Sequence, residues 1–330
     1  VTREDDMARV ARIDRIGGPE VIAWHDVALP PPGAGEVLVR QTAVGLNFID
    51  TYHRSGVYPV PLPSGLGTEA AGVVEAVGPD VTGLAPGDRV GHFGARRGAY
   101  ASHRVLPAAE LVRLPDSVDA ETAAAVLLKG CTAEFLIERC ARVEAGWPVL
   151  VHAAAGGVGL LLVQWLKALG ATVIGTVGDP AKAALASAAG ADHVLLSRTD
   201  DIPARVRALT DGTGVRVAFD GVGMATWEAT LASVARRGLI VSYGNAGGPV
   251  TGVGLGALAA HGSLFVTRPT LFDYYVTAEE RAAGVARLWA MLASGAVGVT
   301  IGQRYPLEDA ARAHADLEAR RTTGSTVLIP

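Results

Sequence analysis

Soft metal ligands are almost missing from this chain. Two cysteines occur in 330 residues, Cys131 and Cys140, and so few thiols disfavour a zinc centre. They lie nine positions apart in one helical segment, which sets their Cβ atoms too far apart for a disulfide. Both are expected as small buried hydrophobes. The eight histidines, His25, His53, His92, His103, His152, His193, His261 and His314, form no H-x-x-x-H pair, and none neighbours a cysteine at ligand spacing. Only His53, beside the short helix of the first third, is kept in view; the others read as surface or satisfied core residues. No G-x-S-x-G elbow occurs. Positive charge is also scarce. Net charge is −4, with no basic stripe, no basic and aromatic patch and no polybasic run, so neither nucleic acid nor a membrane surface is an expected partner. The longest apolar stretch is broken by His152 and three glycines and reads as a buried βα unit, not a membrane span. Residues Val1 to Asp6 lack the apolar core of a signal peptide and read as a short disordered extension. A cytoplasmic location fits all of these absences.

What is present is apolar and segmented. Hydrophobic residues make up 49% and charged residues 19%, enough for sizeable cores in two domains of ordinary size. The first third reads as short strands: Ala8 to Ile13, Val21 to Val27, Glu36 to Val44, Ala70 to Val77, Arg89 to His92 and Ala99 to Leu106. Gly/Pro turns punctuate them, and the close spacing suggests a compact β-barrel-like domain. From residue 119 strands alternate with helices. Glu121 to Arg142 is helical, and Val149 to Val151, Thr172 to Thr176, His193 to Leu196, Val215 to Phe219 and Leu239 to Ser242 are strand runs. Helices near 158–169, 180–189, 201–210 and 224–235 separate them. This is an α/β pattern, a doubly wound parallel sheet. Leu264 to Thr267 reads as a last strand, short, apolar and uncharged, suited either to an edge or to a central position. Helices Ala278–Ser294 and Leu307–Arg320 and strand Thr326–Ile329 do not continue the alternation and are expected to fold back onto the first domain.

The densest signal is Ala154-Ala155-Gly156-Gly157-Val158-Gly159, between the apolar run Val149 to His152 and the run Leu160 to Leu169. Strand, glycine turn and helix in this order form the dinucleotide fingerprint G-x-G-x-x-G, with alanine at the first glycine. Gly156 lets the backbone approach a pyrophosphate, and Gly159 lets the helix pack close to its strand. The helix N-terminus offers unpaired N–H groups to the phosphates. A NAD site places an acid at the end of the second strand, on the ribose 2′-hydroxyl. Here that strand, Thr172 to Val177, ends in apolar residues. Asp179 reads as an N-cap with Pro180 as first helical residue. Lys182 then falls in the first turn, where the dipole disfavours a cation and a bound phosphate welcomes one. The reading is NADPH; a small shift that placed Asp179 on the ribose would reverse it.

A hydride enzyme without a metal needs a substrate that accepts hydride readily. Simple ketones require a Lewis acid or a proton donor on oxygen. A quinone takes hydride and leaves a phenolate-like oxygen that solvent protonates.

At this point whole segments resemble one family. The run Gly45-Leu46-Asn47-Phe48-Ile49-Asp50-Thr51-Tyr52 with Arg54 to Pro59, the run Pro63 to Gly72 through Thr68-Glu69, and Leu128-Lys129-Gly130-Cys131-Thr132-Ala133 are similar to quinone oxidoreductases of the medium-chain dehydrogenase/reductase superfamily, zeta-crystallin-like group. So are the stretches from His152 to Gly159 and Gly175 to Gly178, Asp220 to Gly223, Tyr243-Gly244-Asn245, Val266 to Pro269 and Leu328 to Pro330. The resemblance covers nearly all of the chain after residue 7. Zinc-dependent relatives carry cysteine where Asn47 stands and histidine where Thr68 precedes Glu69, and their four-cysteine loop has no counterpart here.

The resemblance implies a Rossmann doubly wound parallel sheet, residues 126–267, binding NADPH, and a GroES-like β-barrel-type catalytic domain, residues 1–125 and 268–330. It implies that Asn47 and Asp50 contact the nicotinamide side or shape the pocket, and that Tyr52 and Tyr58 line the quinone site. Lys129 and Thr132 lie along the cofactor. Ala154, Gly156, Gly157, Val158 and Gly159 form the pyrophosphate turn. Gly178, Tyr243 and Asn245 line the adenosine and diphosphate channel, and Lys182 and Arg320 grip the 2′-phosphate. Ser197 departs from the family tyrosine that packs the adenosine phosphate; serine cannot stack, and Arg198 is the substitute at hand. No metal is implied. The implied partner is a small quinone, with a homodimer formed through edge strands, Leu264-Phe265-Val266 being the candidate. Two other functions stay open: an NADPH-dependent enone or alkenal reductase with Tyr52 or Tyr58 as acid, and a non-catalytic NADPH-binding structural or RNA-binding protein.

Overall fold

The computed structural model describes residues Met7 to Pro330; the extension Val1 to Asp6 lies outside the described residues. In chain order the elements are β1 (Met7–Ile13), β2 (Ala23–Ala28), β3 (Glu36–Leu46), α1 (Phe48–Ser55), β4 (Ser64–Gly65), β5 (Glu69–Val77), β6 (Arg89–Phe93), β7 (His103–Pro107), β8 (Leu111–Arg113) and α2 (Ala120–Glu134). There follow β9 (Pro148–Val151), α3 (Gly157–Ala168), β10 (Thr172–Val177), α4 (Pro180–Ala188), β11 (His193–Leu196), α5 (Ile202–Leu209), β12 (Val215–Asp220), α6 (Trp227–Ser233) and β13 (Val234–Ser242). The chain ends with α7 (Gly256–Ala260), β14 (Phe265–Thr267), α8 (Leu271–Tyr274), α9 (Ala278–Ala293), β15 (Ile301–Pro306), α10 (Ala310–Glu318) and β16 (Ser325–Ile329). Two compact units emerge, residues up to Leu128 with Ile301–Pro330, and Lys129–Thr300.

The first unit is built on a seven-stranded sheet in the order β15-β16-β3-β5-β6-β8, with β7 also paired to β3, and a three-stranded sheet β2-β1-β4. Strand β3 explains the arrangement. Its first half alternates, with Val37, Val39 and Gln41 buried, and its second half is buried on both faces from Ala43 to Leu46. That second half needs a partner on each edge. It gets β5 on one side and β16 on the other, with Thr326 opposite Leu46 and Leu328 opposite Val44. Leu307, Ala310 and Ala313 then close a core with Leu46, Leu66, Tyr100 and Leu328. The expected strand from Ala99 begins only at His103. The carbonyls of Ala99 and Ala101 are taken by the Gln41 amide, and that of Tyr100 by the Ala11 N–H. Strand β15 was not expected; its residues alternate between half-buried and exposed and carry little apolar signal.

The second unit holds six parallel strands in the order β11-β10-β9-β12-β13-β14. Counting from β9, this is the 3-2-1-4-5-6 order of a dinucleotide-binding sheet, with its switch point between β9 and β12. Strands β9 and β10, most of β12 and the second half of β13 are buried, as strands covered on both faces are. Strand β14 is an edge, which decides the alternative left open for it. Helix α2 passes into a π-helical turn, Phe135–Ala141, that ends on Arg142 at φ 51°.

The domain boundary differs from expectation. Residues 268–300 belong to the second unit, not the first, and the first cut falls after Leu128 instead of at 125. Side chains show why. The Tyr275 hydroxyl donates to Glu134 at 2.8 Å, Arg139 donates to the same carboxylate and to the Tyr274 carbonyl at 2.7 Å, and the Phe135 and Tyr274 rings stack at 4.7 Å. Further along, Arg287 binds Glu138 and Gln164 brackets Gly298. Only residues 301–330 return to the first unit. Glu134 is buried under Arg139 and Tyr275, so Glu134→Ala is expected to cost about 2 kcal/mol, the scale of a broken buried pair. Urea unfolding measures it, and a loss under about 0.5 kcal/mol would mean that apolar packing alone holds the segment.

Candidate active site

In the second unit the carboxyl end of β9 leads through Ala153, held at φ 52°, into Gly156 and the start of α3. The Ala154 N–H donates to the Thr176 carbonyl and the Gly156 N–H to the Ala153 carbonyl, each at 2.9 Å. No side chain caps α3 and no acid stands in its first turn, so the N–H groups of Gly157, Val158 and Gly159 point from a positive helix end at the switch point. Gly159 is obligatory by close approach: a Cβ there would lie 2.2 Å from the Ala153 carbonyl oxygen. Alanine at the fingerprint's first position is admitted by Gly175 on the next strand, where a Cβ would come within 2.8 Å of the Ala154 methyl.

Beyond β10, Asp179 caps α4 by accepting from the Ala181 N–H at 2.8 Å, with Pro180 at the first helical position. One oxygen of its carboxylate, Oδ1, is thereby used by the backbone. Lys182 stands half-buried in the first turn, where α4 has no acid. Gly178, Ser197 and Arg198 are neighbours, since a Cβ on Gly178 would lie 3.8 Å from both the Ser197 Oγ and the Arg198 Nε. The loops after β12 and β13 interlock: the Tyr243 N–H donates to the Asp220 carbonyl, and the Tyr243 ring lies against Gly221. With its amide oriented to satisfy both neighbours, Asn245 donates to the Gly244 carbonyl at 2.9 Å and accepts from Arg268 at 3.1 Å. Lys129 and Thr132 lie three apart on α2, Lys129 buried and Thr132 half-buried.

A polar chain that sequence reasoning passed over runs under these loops. His152 sits between the hydroxyls of Thr176 at 2.9 Å and Thr230 at 3.0 Å, and Thr230 donates to Asp220 at 2.8 Å. The other Asp220 oxygen accepts from the N–H groups of Val222 and Gly223. Burial lowers the pKa of His152 against the pull of Asp220, which keeps the ring neutral. His152 is thus a satisfied core residue, and the chain ties together the ends of β10, β9 and β12.

In the first unit the four candidates cluster on and after α1. Asn47 precedes the helix; its N–H donates to Asp50 Oδ2 and its side-chain amide to Glu69 Oε2, both at 2.9 Å. Glu69 Oε1 accepts from the Leu128 N–H at 2.7 Å, and Thr68 donates to Asp50 Oδ1 at 3.2 Å. Thr68 and Glu69 are fully buried. Tyr52 and Tyr58 meet edge to face at 5.1 Å. His53 lies 6.3 Å from the Tyr58 ring, and burial, with the charge of Arg97, drives its pKa down to about 4. Arg320 follows the end of α10 at φ 60°, exposed, where a helix favours a cation.

Comparison with known proteins extends this geometry. A family model described as alcohol dehydrogenase GroES-like domain matches residues 33–116, and one described as zinc-binding dehydrogenase matches 157–290. A GroES-like domain joined to a dinucleotide-binding sheet defines a medium-chain dehydrogenase/reductase. The chain is 51% identical to a quinone oxidoreductase of Pseudomonas aeruginosa, over 98% of this chain and 100% of that one. The crystal structure of the Escherichia coli quinone oxidoreductase complexed with NADPH is 47% identical, covers 98% of this chain and 100% of its own, and has a TM-score of 0.95. A 2-haloacrylate reductase of Burkholderia is 40% identical over 98% of this chain and 99% of its own. The chain belongs to the quinone oxidoreductase family.

The zinc named in the second model's description does not fit these residues. The Asn47 amide nitrogen is spent on Glu69 and the Thr68 hydroxyl proton on Asp50, and neither group is a zinc donor. Among the described residues no three His, Cys, Asp or Glu side chains converge to hold a metal. A dinucleotide does fit, since α3 begins at the switch point with no side-chain cap and no acid in its first turn, and Gly159 lets the turn close tightly. Gly159→Ala is expected to destabilise the protein by about 1–3 kcal/mol, the cost of overpacking against rigid backbone. Thermal melting checks it, and an unchanged melting temperature would mean that the turn yields freely.

Proposed function

We propose that this protein reduces quinones with NADPH and without zinc. The observation that carries the reading is the uncapped glycine turn at the switch point, in a chain about half identical to quinone oxidoreductases along nearly its whole length. Bound NADPH supplies a hydride. The protein's own part is orientation and proximity. Gly156, Gly157 and Val158 present backbone donors to the pyrophosphate, while Ala154 and Gly159 shape the turn. Gly178, Ser197, Tyr243 and Asn245 line the adenosine side, and Lys129 and Thr132 run beside the cofactor. Asp179 is committed to capping α4, which favours NADPH over NADH, and Lys182 and Arg320 supply charge for the 2′-phosphate. Asn47 and Asp50 fix the nicotinamide side, and Tyr52 and Tyr58 bound the quinone. The reduced quinone oxygen takes its proton from solvent. No described helix is long and apolar enough to cross a membrane, and we place the enzyme in the cytoplasm. A second reading, reduction of an electron-poor C=C bond, is favoured by the 2-haloacrylate reductase relative.

Initial rates with 1,4-benzoquinone, 9,10-phenanthrenequinone and 2-chloroacrylate, each with NADPH and NADH and with and without chelator, test this. Chelator-insensitive quinone turnover preferring NADPH is expected. Lys182→Ala should raise KM for NADPH about tenfold, about 1.4 kcal/mol, and leave KM for NADH alone. Turnover with NADH only would overturn the phosphate assignment, and turnover of 2-chloroacrylate only would favour the second reading.

We also infer a homodimer through β14. This edge strand exposes Phe265 and Val266, at 62% and 43%, with Leu255 nearby in sequence at 82%, an apolar open edge of the kind that templates pairing. Phe265→Asp should turn a dimer into a monomer in sedimentation. A monomeric wild type, or a variant that stays dimeric, would refute the edge.

A further inference from the structure

Three buried groups in the first unit, Arg54, His314 and Tyr100, have no part in the reading above, and they adjoin a fourth, Asp50, that does. His314, Tyr100 and Asp50 are fully buried and Arg54 is 2% exposed. We propose that Arg54, His314 and Tyr100 form a one-way hydrogen-bond chain that holds Asp50, and through it Asn47, in place, which makes His314 a positioning residue for the reduction. The proposal rests on the quinone reductase reading for the meaning of that placement.

The direction follows from donor chemistry. A guanidinium has donors only. Arg54 Nη1 lies 3.1 Å from His314 Nδ1, so Nδ1 accepts and the ring proton sits on Nε2. That N–H faces the Tyr100 oxygen at 2.9 Å. The Tyr100 hydroxyl is then free to donate, and it reaches Asp50 Oδ2 at 3.1 Å. The same Oδ2 receives the Asn47 N–H, and the Asn47 amide is held in turn by Glu69. At its outer end Arg54 is fixed by a two-pronged bond to Glu318, at 2.6 and 3.0 Å, and by the Gly17 carbonyl. Every link has one polarity. Burial beside Arg54 lowers His314 to about 3, and burial beside the Asp50 charge raises Tyr100 well above its ordinary value. Neither changes protonation state near neutrality. A simple fastening of α10 to α1 would also keep these groups satisfied, but it would leave kcat unchanged in any variant that folds.

The test separates the two. Long-range nitrogen–proton NMR of the histidines, with His314 assigned by its loss in His314→Gln, is expected to show the Nε2–H tautomer at pH 7. His314→Leu and Tyr100→Phe should each lower kcat for quinone about tenfold, a positioning-scale loss, with KM for NADPH changed less than about twofold. His314→Gln can accept from Arg54 and donate to Tyr100, and should recover most of the activity. The double variant His314→Leu/Tyr100→Phe should be no slower than the slower single variant. An Nδ1–H tautomer, full kcat in folded His314→Leu, additive losses, or no recovery by glutamine would each overturn the chain. If His314→Leu does not fold, Tyr100→Phe and His314→Gln carry the comparison. A wild type without quinone turnover would sink the quinone reading, while the tautomer still decides the chain.

Discussion

Three carboxylates buried away from water, Asp50, Glu69 and Asp220, set the terms for both candidate sites. An ionised carboxylate in the interior is expensive unless donors surround it. Each of these recruits backbone N–H groups: Asn47 ahead of α1 for Asp50, Leu128 within α2 for Glu69, and Val222 and Gly223 in the loop after β12 for Asp220. The loops are therefore held by charge-assisted bonds that cannot be exchanged for water. The Asn47 turn and the loop after β12 are both fixed by these carboxylates.

The same constraint accounts for the loss of metal-binding character. A ligand triad needs groups whose lone pairs are uncommitted. Asn47 and Thr68 are instead the donors that Glu69 and Asp50 require. A cysteine or histidine at either position would take one donor from a buried carboxylate, the Asn47 amide from Glu69 or the Thr68 hydroxyl from Asp50. The chemistry left to the chain is placement, which suits a substrate as electrophilic as a quinone. Of the 29 Lys and Arg residues three are lysine, and one of them, Lys167, is paired with Asp192.

Periodicity and turn residues made most of the architecture legible. The parallel strands carry mainly apolar runs and the glycine turn is a six-residue signal, so the sheet, the fingerprint and the Asp179 cap could be read directly. The edge position of β14 could not, because a short apolar run looks the same at the edge and in the centre. Strand β15 was invisible since Gly302, Gln303 and Arg304 carry no strand pattern, and its pairing with β16 is supplied by tertiary context. The boundary at 268 was misplaced because the ties that hold residues 268–300, Tyr275 to Glu134 and Arg287 to Glu138, join side chains more than 140 positions apart. His152 and His314 could be called satisfied, but not connected, for the same reason.

That distance has a consequence for how the first unit forms. Arg54 meets His314 and Glu318 across 260 and 264 positions, and β3 completes its pairing only when β16 arrives. Long-range closure of this kind is slow and gains nothing until the contact is made. Asp50 cannot acquire its Tyr100 donor in the final orientation before His314 is seated, because the histidine sets which way that hydroxyl points. The polar chain and the terminal strand come from the same last segment: β16 covers the open edge of β3, and α10 brings in His314, which meets Arg54. The turn that the sequence marks most plainly in the first third thus depends on residues the chain supplies last.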